Sequence, residues 1–552
     1  MNAIPPTPRP GATATEAALK AATIGDIRGA LGSIPRNGGP RNGAARGGLR
    51  HRLRILLAIV GPGLIVMVGD NDAGAFATYT QAGQNHGTAL LWTLLLLIPV
   101  LYANQEMVLR LGAVTGVGYT SLLLARFGRF WGMFTILGLL ALNIVTVVTE
   151  FIGISLALDQ LGITRLWGVV FAAGVTILAA ATGDFRRFER FALALVLGSL
   201  LLIPVFIAVH PPLARIAHDL VVPQLPEGNF ADILLLIIAI IGTTVAPWQL
   251  FFQQSYIVDK RITPRYLGYE KFDLWLGIAI VILGAIAMMG LAAATFAGRP
   301  EFGQFTDAGG VAAGIAAYVG PLPAALFSIA LLDASIIGMA AVSLSTAYAV
   351  GDIMATTHSL HRKTGEAKTL NLVYAGVIVV SAALVLLPDM PLGLITVAVQ
   401  TLSGVMLPGA TIFLLLLCND RAVLGPWVNG PWANLFTSSV IAILVLLSLI
   451  LTAAVLFPGL APRTMLATLL GGGAIAIVGL AAQLLAQLRA PPPPLPTSRA
   501  RRTAWRMPPL ASLPPATLGT TGRLWMVLMW AYLITACLMV ILRFVQLAAG
   551  AA

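Results

Sequence analysis

Gly69-Asp70-Asn71-Asp72-Ala73-Gly74-Ala75 sets two carboxylates and two glycines in the middle of an otherwise apolar run over residues 55–79. An unpaired carboxylate at that depth of a bilayer costs several kcal/mol, so such residues need a reason to be there. No Lys or Arg stands in mid-span to neutralise them, which favours a cation as their partner. The alternative is that one of the two, Asp70 before Asp72, caps a broken half-helix or pairs with a basic group. A second interruption, Gly242-Thr243-Thr244-Val245-Ala246-Pro247, falls in the sixth apolar run. Breaks five helices apart are the mark of two inverted five-helix repeats holding a substrate at mid-membrane. Backbone can leave the helix at that depth only where it lines a cavity within the protein. Two carboxylates, the Asn71 amide oxygen and unwound carbonyls are hard oxygen donors, suited to Mg²⁺, Mn²⁺ or Ca²⁺ rather than to soft metals.

The rest of the chain agrees with a membrane setting. Of 552 residues, 58% are hydrophobic and 10% charged, far from a soluble domain. A crossing helix needs roughly 20 apolar residues. Thirteen candidate runs can be marked, at 55–79, 88–109, 131–158, 166–182, 188–210, 232–257, 272–298, 322–350, 370–388, 394–418, 433–457, 464–487 and 524–547. The expected fold is an all-α polytopic membrane protein with 11–13 transmembrane helices. Its domains are a disordered basic tail (1–52), a first repeat (53–210), a second repeat (232–420), accessory spans (433–487), a Pro/Arg-rich linker (488–523) and a last span (524–547). Basic loops stay in the cytoplasm. With the N-terminus inside, nearly all Lys and Arg fall on that side, and only Arg165, Arg215, Arg299 and Arg463 fall outside.

The net charge of +12 is spread over short loops beside apolar runs, which topology explains better than nucleic-acid binding does. Cys418 and Cys537 both lie in apolar runs, so neither a disulfide framework nor a thiolate metal site is expected. No cleavable signal is visible, and the first 50 residues read as a disordered tail. Pro491-Pro492-Pro493-Pro494 favours an extended spacer, and the basic residues after it can rest on anionic headgroups. No phosphate-cradling loop, H-E-x-x-H or nucleophile elbow is present, so no enzyme is expected. The excess of Arg over Lys points to a GC-rich bacterium and hence to the inner membrane.

Gly61-Pro62-Gly63, the Asp72-Ala73-Gly74-Ala75 stretch, Arg110-Leu111-Gly112-Ala113-Val114-Thr115-Gly116, Gln400, Leu407-Pro408 and Asn419-Asp420-Arg421 occur in one order over residues 53–425. In this the chain resembles the NRAMP divalent metal transporters, a family with the leucine-transporter-type fold of two inverted repeats. The resemblance sets Asp72 on the Asp of the family's D-P-G-N motif, Ala73 on its Pro and Ala75 on its Asn. The family's span-6 M-P-H reads Ala246-Pro247-Trp248 here, followed by Gln249 in place of Asn. Loss of the thioether and the Asn widens the site and resembles the NRAMP-related magnesium transporter branch. An ion that keeps part of its water, as Mg²⁺ does, would then fit. The family's T-D-x-x-E in span 3 reads Thr146-Val147-Val148-Thr149-Glu150, and its span-6 histidines are Trp248 and Gln253. Most of the titrating route that the resemblance implies is therefore absent.

The expected metal ligands are Asp72, Asp70, Asn71, Ala75, Ala246, Gln249 and Thr243. Gln400, Glu150, Trp248 and Asp333 are candidate gating or supporting residues. For Gln400 an interhelical hydrogen bond is the simpler reading, for Trp248 packing, and for Asp333 packing or a cap. Glu106 and Asn104 read as interfacial or helix-packing groups. The expected function is alternating-access transport of Mg²⁺, and also Mn²⁺, without proton coupling and with no cofactor. The partners are the metal ion and the lipid bilayer; the oligomeric state is open. Two rivals stand beside it: a proton-coupled Mn²⁺/Fe²⁺ importer and a non-transporting receptor on the same fold.

Overall fold

The computed structural model describes residues 27–34, 49–181, 184–354, 359–360, 367–387, 391–456, 462–489, 502–503 and 505–514, with scattered residues between 527 and 542. Helices dominate. Span 1 consists of three pieces, Leu49–Ile59, Pro62–Val68 and Ala73–His86. Span 2 is Trp92–Thr115, span 3 Tyr119–Gln160, span 4 Arg165–Ala181 and span 5 Phe185–Val209. Span 6 is again broken, into Phe230–Thr244 and Pro247–Asp259. Spans 7 to 12 are Leu267–Phe296, Pro321–Ile353, Lys368–Val385, Leu392–Asn419, Pro431–Leu456 and Pro462–Arg489.

Nine of these helices are long and apolar enough to cross a membrane, or ten with the bent pair Leu49–Ile59 and Pro62–Val68, among the described residues. Two further expected spans are shorter: Arg165–Ala181, and the apolar stretch Leu470–Leu485 of span 12. Most of the last expected span, 524–547, lies outside the described residues. Trp530 from it packs edge-on against Phe134 of span 3, with ring centroids 4.3 Å apart.

The breaks follow from local chemistry. Pro62 and Pro247 each sit in the first turn of a half-helix, where the missing N–H costs nothing. Gly61 precedes the first of them at φ 148°. Spans 3 and 8 pack along each other, the middle and outer pieces of span 1 lie on span 7, and the first half of span 6 lies on span 10. The two broken helices are thereby enclosed by full-length ones, which shields their unwound backbone from lipid.

Three features differ from expectation. Within the tail at 1–52, Ile27–Arg28 and Ser33–Ile34 pair as a small antiparallel hairpin, and residues from 49 onward begin span 1; the remainder of the tail lies outside the described residues. Short helices Leu213–Val221 and Ala308–Tyr318 occupy the connections after spans 5 and 7. Part of the linker at 488–523 folds onto the loop after span 10. There the Arg502 guanidinium lies 4.3 Å from the centroid of Trp427, whose indole N–H donates to the Arg502 carbonyl at 2.9 Å.

Candidate metal-ion site

Between Val68 and Ala73 the backbone of span 1 tightens, with the N–H of Asp70 donating to the Met67 carbonyl at 3.3 Å and that of Asn71 to Val68 at 3.1 Å. The helix restarts at Ala73, and Asp72 is its N-cap, accepting from the Ala75 N–H at 2.9 Å. Sequence reasoning favoured Asp70 for a capping role. The correction has a simple cause: a cap must sit immediately before the first helical residue, and the restart falls after Asp72 rather than after Asp70.

Glu150 of span 3 joins the same helix start. Its Oε2 accepts from the Ala73 N–H at 3.1 Å, so two carboxyl groups share the partial positive charge of one helix terminus. Gly338 of span 8 closes the group from the far side. A Cβ on it would stand 2.7 Å from the Asp72 Cβ and 2.9 Å from the Glu150 carboxyl carbon.

Asp70 differs. It is buried, and neither carboxylate oxygen meets the geometry of a hydrogen bond, although the Gln249 side chain approaches it. Gln249 in turn accepts from the Gln105 amide at 2.9 Å and leaves its own Nε2 unpartnered. The Thr243 hydroxyl is also buried and unpartnered. The next residue, Thr244, meets the Tyr79 hydroxyl at 2.7 Å and so ties the outer half of span 1 to the break in span 6.

The remaining candidates fall into two groups. Gln400 sits against the broken region, because a Cβ on Gly74 would lie 1.6 Å from its Nε2. Ala246 is buried in the unwound turn and Ala75 just inside the half-helix; neither has a side-chain donor. Trp248 is buried beside Phe252, with ring centroids 6.0 Å apart, and its carbonyl accepts from Ser345 at 3.0 Å. Asn71 turns toward span 7 and donates to the Val281 carbonyl at 3.2 Å, leaving its Oδ1 buried and unpartnered. Asp333 lies elsewhere. Its carboxyl packs on Gly198 of span 5, whereas Gly338, on another face of the same helix, meets Asp72 and Glu150.

Gln105, Tyr79 and Gly338 escaped sequence reasoning. Gln105 lies between Asn104 and Glu106 in span 2, and its amide in an apolar run was the available signal. Nothing in the sequence distinguishes Tyr79 or Gly338 from other residues of buried spans.

Several motif residues tie loops together. Arg110 donates at 2.5 Å to both the Trp427 carbonyl and the Asn429 side chain, and its guanidinium lies 3.1 Å from Glu106. Arg126 bridges Asp420 at 2.5 Å. The chain matches the family described as natural resistance-associated macrophage protein-like, or Nramp, over residues 63–454. It belongs to that family.

Relatives of this Nramp chain include the divalent metal cation transporter MntH of Burkholderia ambifaria. It is 31% identical over 315 residues, which are 54% of this chain and 69% of the relative. MntH of Ralstonia nicotianae is 30% identical over 389 residues, 68% of this chain and 86% of the relative. The manganese transporter of Eremococcus coleocola superposes with a TM-score of 0.61 at 19% identity, covering 84% of this chain and 98% of that one. A Na⁺-coupled sialic acid symporter gives 0.50 at 15% identity, covering 87% and 98%. These two likenesses establish the shared fold, the leucine-transporter type with two inverted repeats expected from the sequence.

Proposed function

We propose that this Nramp chain carries divalent metal ions across a bacterial inner membrane by alternating access, binding the ion at the breaks of spans 1 and 6. The reading rests most on Asp70, a buried carboxylate with two unpartnered oxygens and no Lys or Arg beside it in the span. A charge so placed is retained only where a counter-ion compensates it. Asp72, the Thr243 hydroxyl and the unwound carbonyls complete a set of hard oxygen donors, which the Gln249 carboxamide joins once its oxygen turns from Gln105 to the ion. With Ala246 in the turn there is no thioether, so Mg²⁺ and Mn²⁺ are the favoured cargo and Cd²⁺ is disfavoured. Influx into proteoliposomes loaded with a metal-sensing dye tests this, and failure of both Mg²⁺ and Mn²⁺ to enter would overturn it.

Flux is proposed to run down the electrochemical gradient without protons, because Val147, Trp248 and Gln253 cannot titrate. The rival reading, proton-coupled import of Mn²⁺ or Fe²⁺, has its own support in the Asp72 and Glu150 carboxyls side by side at one helix start. A pH dye trapped with the metal dye separates the two: internal acidification in proportion to metal influx would establish coupling.

A further inference from the structure

The bend between the first two pieces of span 1 is held from both sides. Helix Leu49–Ile59 ends with carbonyls that lack helical partners, and the Lys260 ammonium of span 6 donates to those of Ile59 at 2.6 Å and Val60 at 3.0 Å. Helix Pro62–Val68 begins with N–H groups that also lack partners. One Asp273 carboxylate oxygen, from span 7, accepts from Gly61 at 3.2 Å, Gly63 at 2.7 Å and Leu64 at 3.3 Å. A cation on a helix end and a carboxylate on a helix start are the favourable pairings.

Lys260 also bridges Glu189 of span 5 at 2.6 Å, and all three charged side chains are fully buried. The fit is close, since a Cβ on Gly61 would stand 2.4 Å from the Glu189 carboxylate and 3.1 Å from the Lys260 nitrogen. Over the bend lies the N-terminal hairpin. The Ala30 N–H donates to Glu189 Oε2, and its carbonyl accepts from Arg190 at 3.3 Å. A Cβ on Gly29 would meet the Ala58 carbonyl oxygen at 2.2 Å.

We infer that Lys260, Asp273 and Glu189, covered by the hairpin at 27–34, form a latch that holds the inner part of span 1 closed and must release for the ion to leave toward the cytoplasm. The inference rests on the transport reading and on the orientation that the basic loops indicate. Its physical basis is that the Lys260 and Asp273 bonds join the bend of span 1 to spans 6 and 7, and the Glu189 bridge ties Lys260 to span 5, so that span 1 cannot swing without breaking the bonds at its bend. Glu270, one turn before Asp273, is fully buried with both oxygens unpartnered and lies in the field of Lys260. It gives the ammonium a second partner once the carbonyls of Ile59 and Val60 move away.

The test reads conformation rather than transport. Met67→Cys is placed in a Cys418→Ser, Cys537→Ser background of the full chain and labelled with a membrane-impermeant maleimide in inside-out vesicles. Lys260→Gln and Asp273→Asn should accelerate labelling by about tenfold or more, because removing one partner of a buried charge pair costs the closed state heavily. Asp420→Asn, which loosens the Arg126 ion pair between span 3 and the end of span 10, should leave the rate unchanged. Wild-type labelling in the latch variants, or equal acceleration in all three, overturns the latch. If Lys260→Gln and Asp273→Asn fail to accumulate, Gly29→Leu decides: unseating the hairpin should speed labelling several-fold, and a wild-type rate overturns the proposal. A latch response in a protein that moves no metal would sink the transport reading alone.

Discussion

Asp72 and Glu150, 78 positions apart, accept hydrogen bonds from N–H groups of the same helix start: Ala75 donates to Asp72 and Ala73 to Glu150. The arrangement gives Asp72 two roles at once, as the cap of the outer half-helix of span 1 and as a proposed ligand.

The two roles separate by substitution. Asn caps a helix almost as well as Asp, whereas Ala loses about 0.5–2 kcal/mol. Asp72→Asn should therefore keep the thermal midpoint of the purified protein near wild type while abolishing Mn²⁺ and Mg²⁺ uptake, and Asp72→Ala should lose both. Uptake at the wild-type rate in Asp72→Asn would remove this residue from the ion site.

Asp70 carries no such structural duty. Both its oxygens are buried and make no hydrogen bond, and a neutral amide in the same place removes the cost of keeping a carboxylate there, or of the proton uptake that otherwise relieves it. Asp70→Asn should raise the melting temperature in metal-free buffer yet weaken Mn²⁺ binding, measured by the quenching of the free Mn²⁺ resonance. An unaltered affinity would leave Asp70 outside the coordination sphere.

The sequence revealed the two breaks and the buried carboxylates because a Gly-Asp-Asn-Asp run in an apolar stretch violates the rule for lipid-facing helix. It could not say which Asp caps, since both precede a plausible restart and only the backbone fixes the register. Asp333 stayed open between a gating role and a packing or cap role for a related reason. Span 8 is largely apolar around its circumference, so periodicity assigns no face to a carboxyl within it. The latch groups were invisible as a unit because Glu189, Lys260 and Asp273 belong to three different spans and meet only at the bend of a fourth. The hairpin was missed because two-residue strands carry no pattern, and the composition around them reads as tail.

Selectivity should follow the side chain at 246. Ala246 lies in the unwound turn of span 6 as the N-cap of its second half, and a thioether there would add a soft ligand and fill space. Ala246→Met should lower Mg²⁺ influx and tighten Cd²⁺ binding by about 1 kcal/mol, roughly fivefold in Kd. Isothermal titration with both metals checks this, and an unchanged preference would mean that residue 246 does not face the ion.

Gly338 should prove as necessary to the site as its charged neighbours. A methyl group at this position would stand 2.7 Å from the Asp72 Cβ and 2.9 Å from the Glu150 carboxyl carbon, well inside contact distance, and both neighbours are fixed by bonds to the start of the outer half-helix. The new atom must therefore push span 8 away from spans 1 and 3 or drag both carboxyls off their N–H donors. Overpacking of this kind costs about 1–3 kcal/mol. Gly338→Ala should lower the thermal midpoint and reduce metal uptake more than the stability loss explains, whereas Ala→Gly at the neighbouring Ala340 should affect stability alone. The comparison is made at a temperature where all three proteins are fully folded by circular dichroism. Full uptake by Gly338→Ala under those conditions would mean that the Asp72 and Glu150 geometry is not needed for transport.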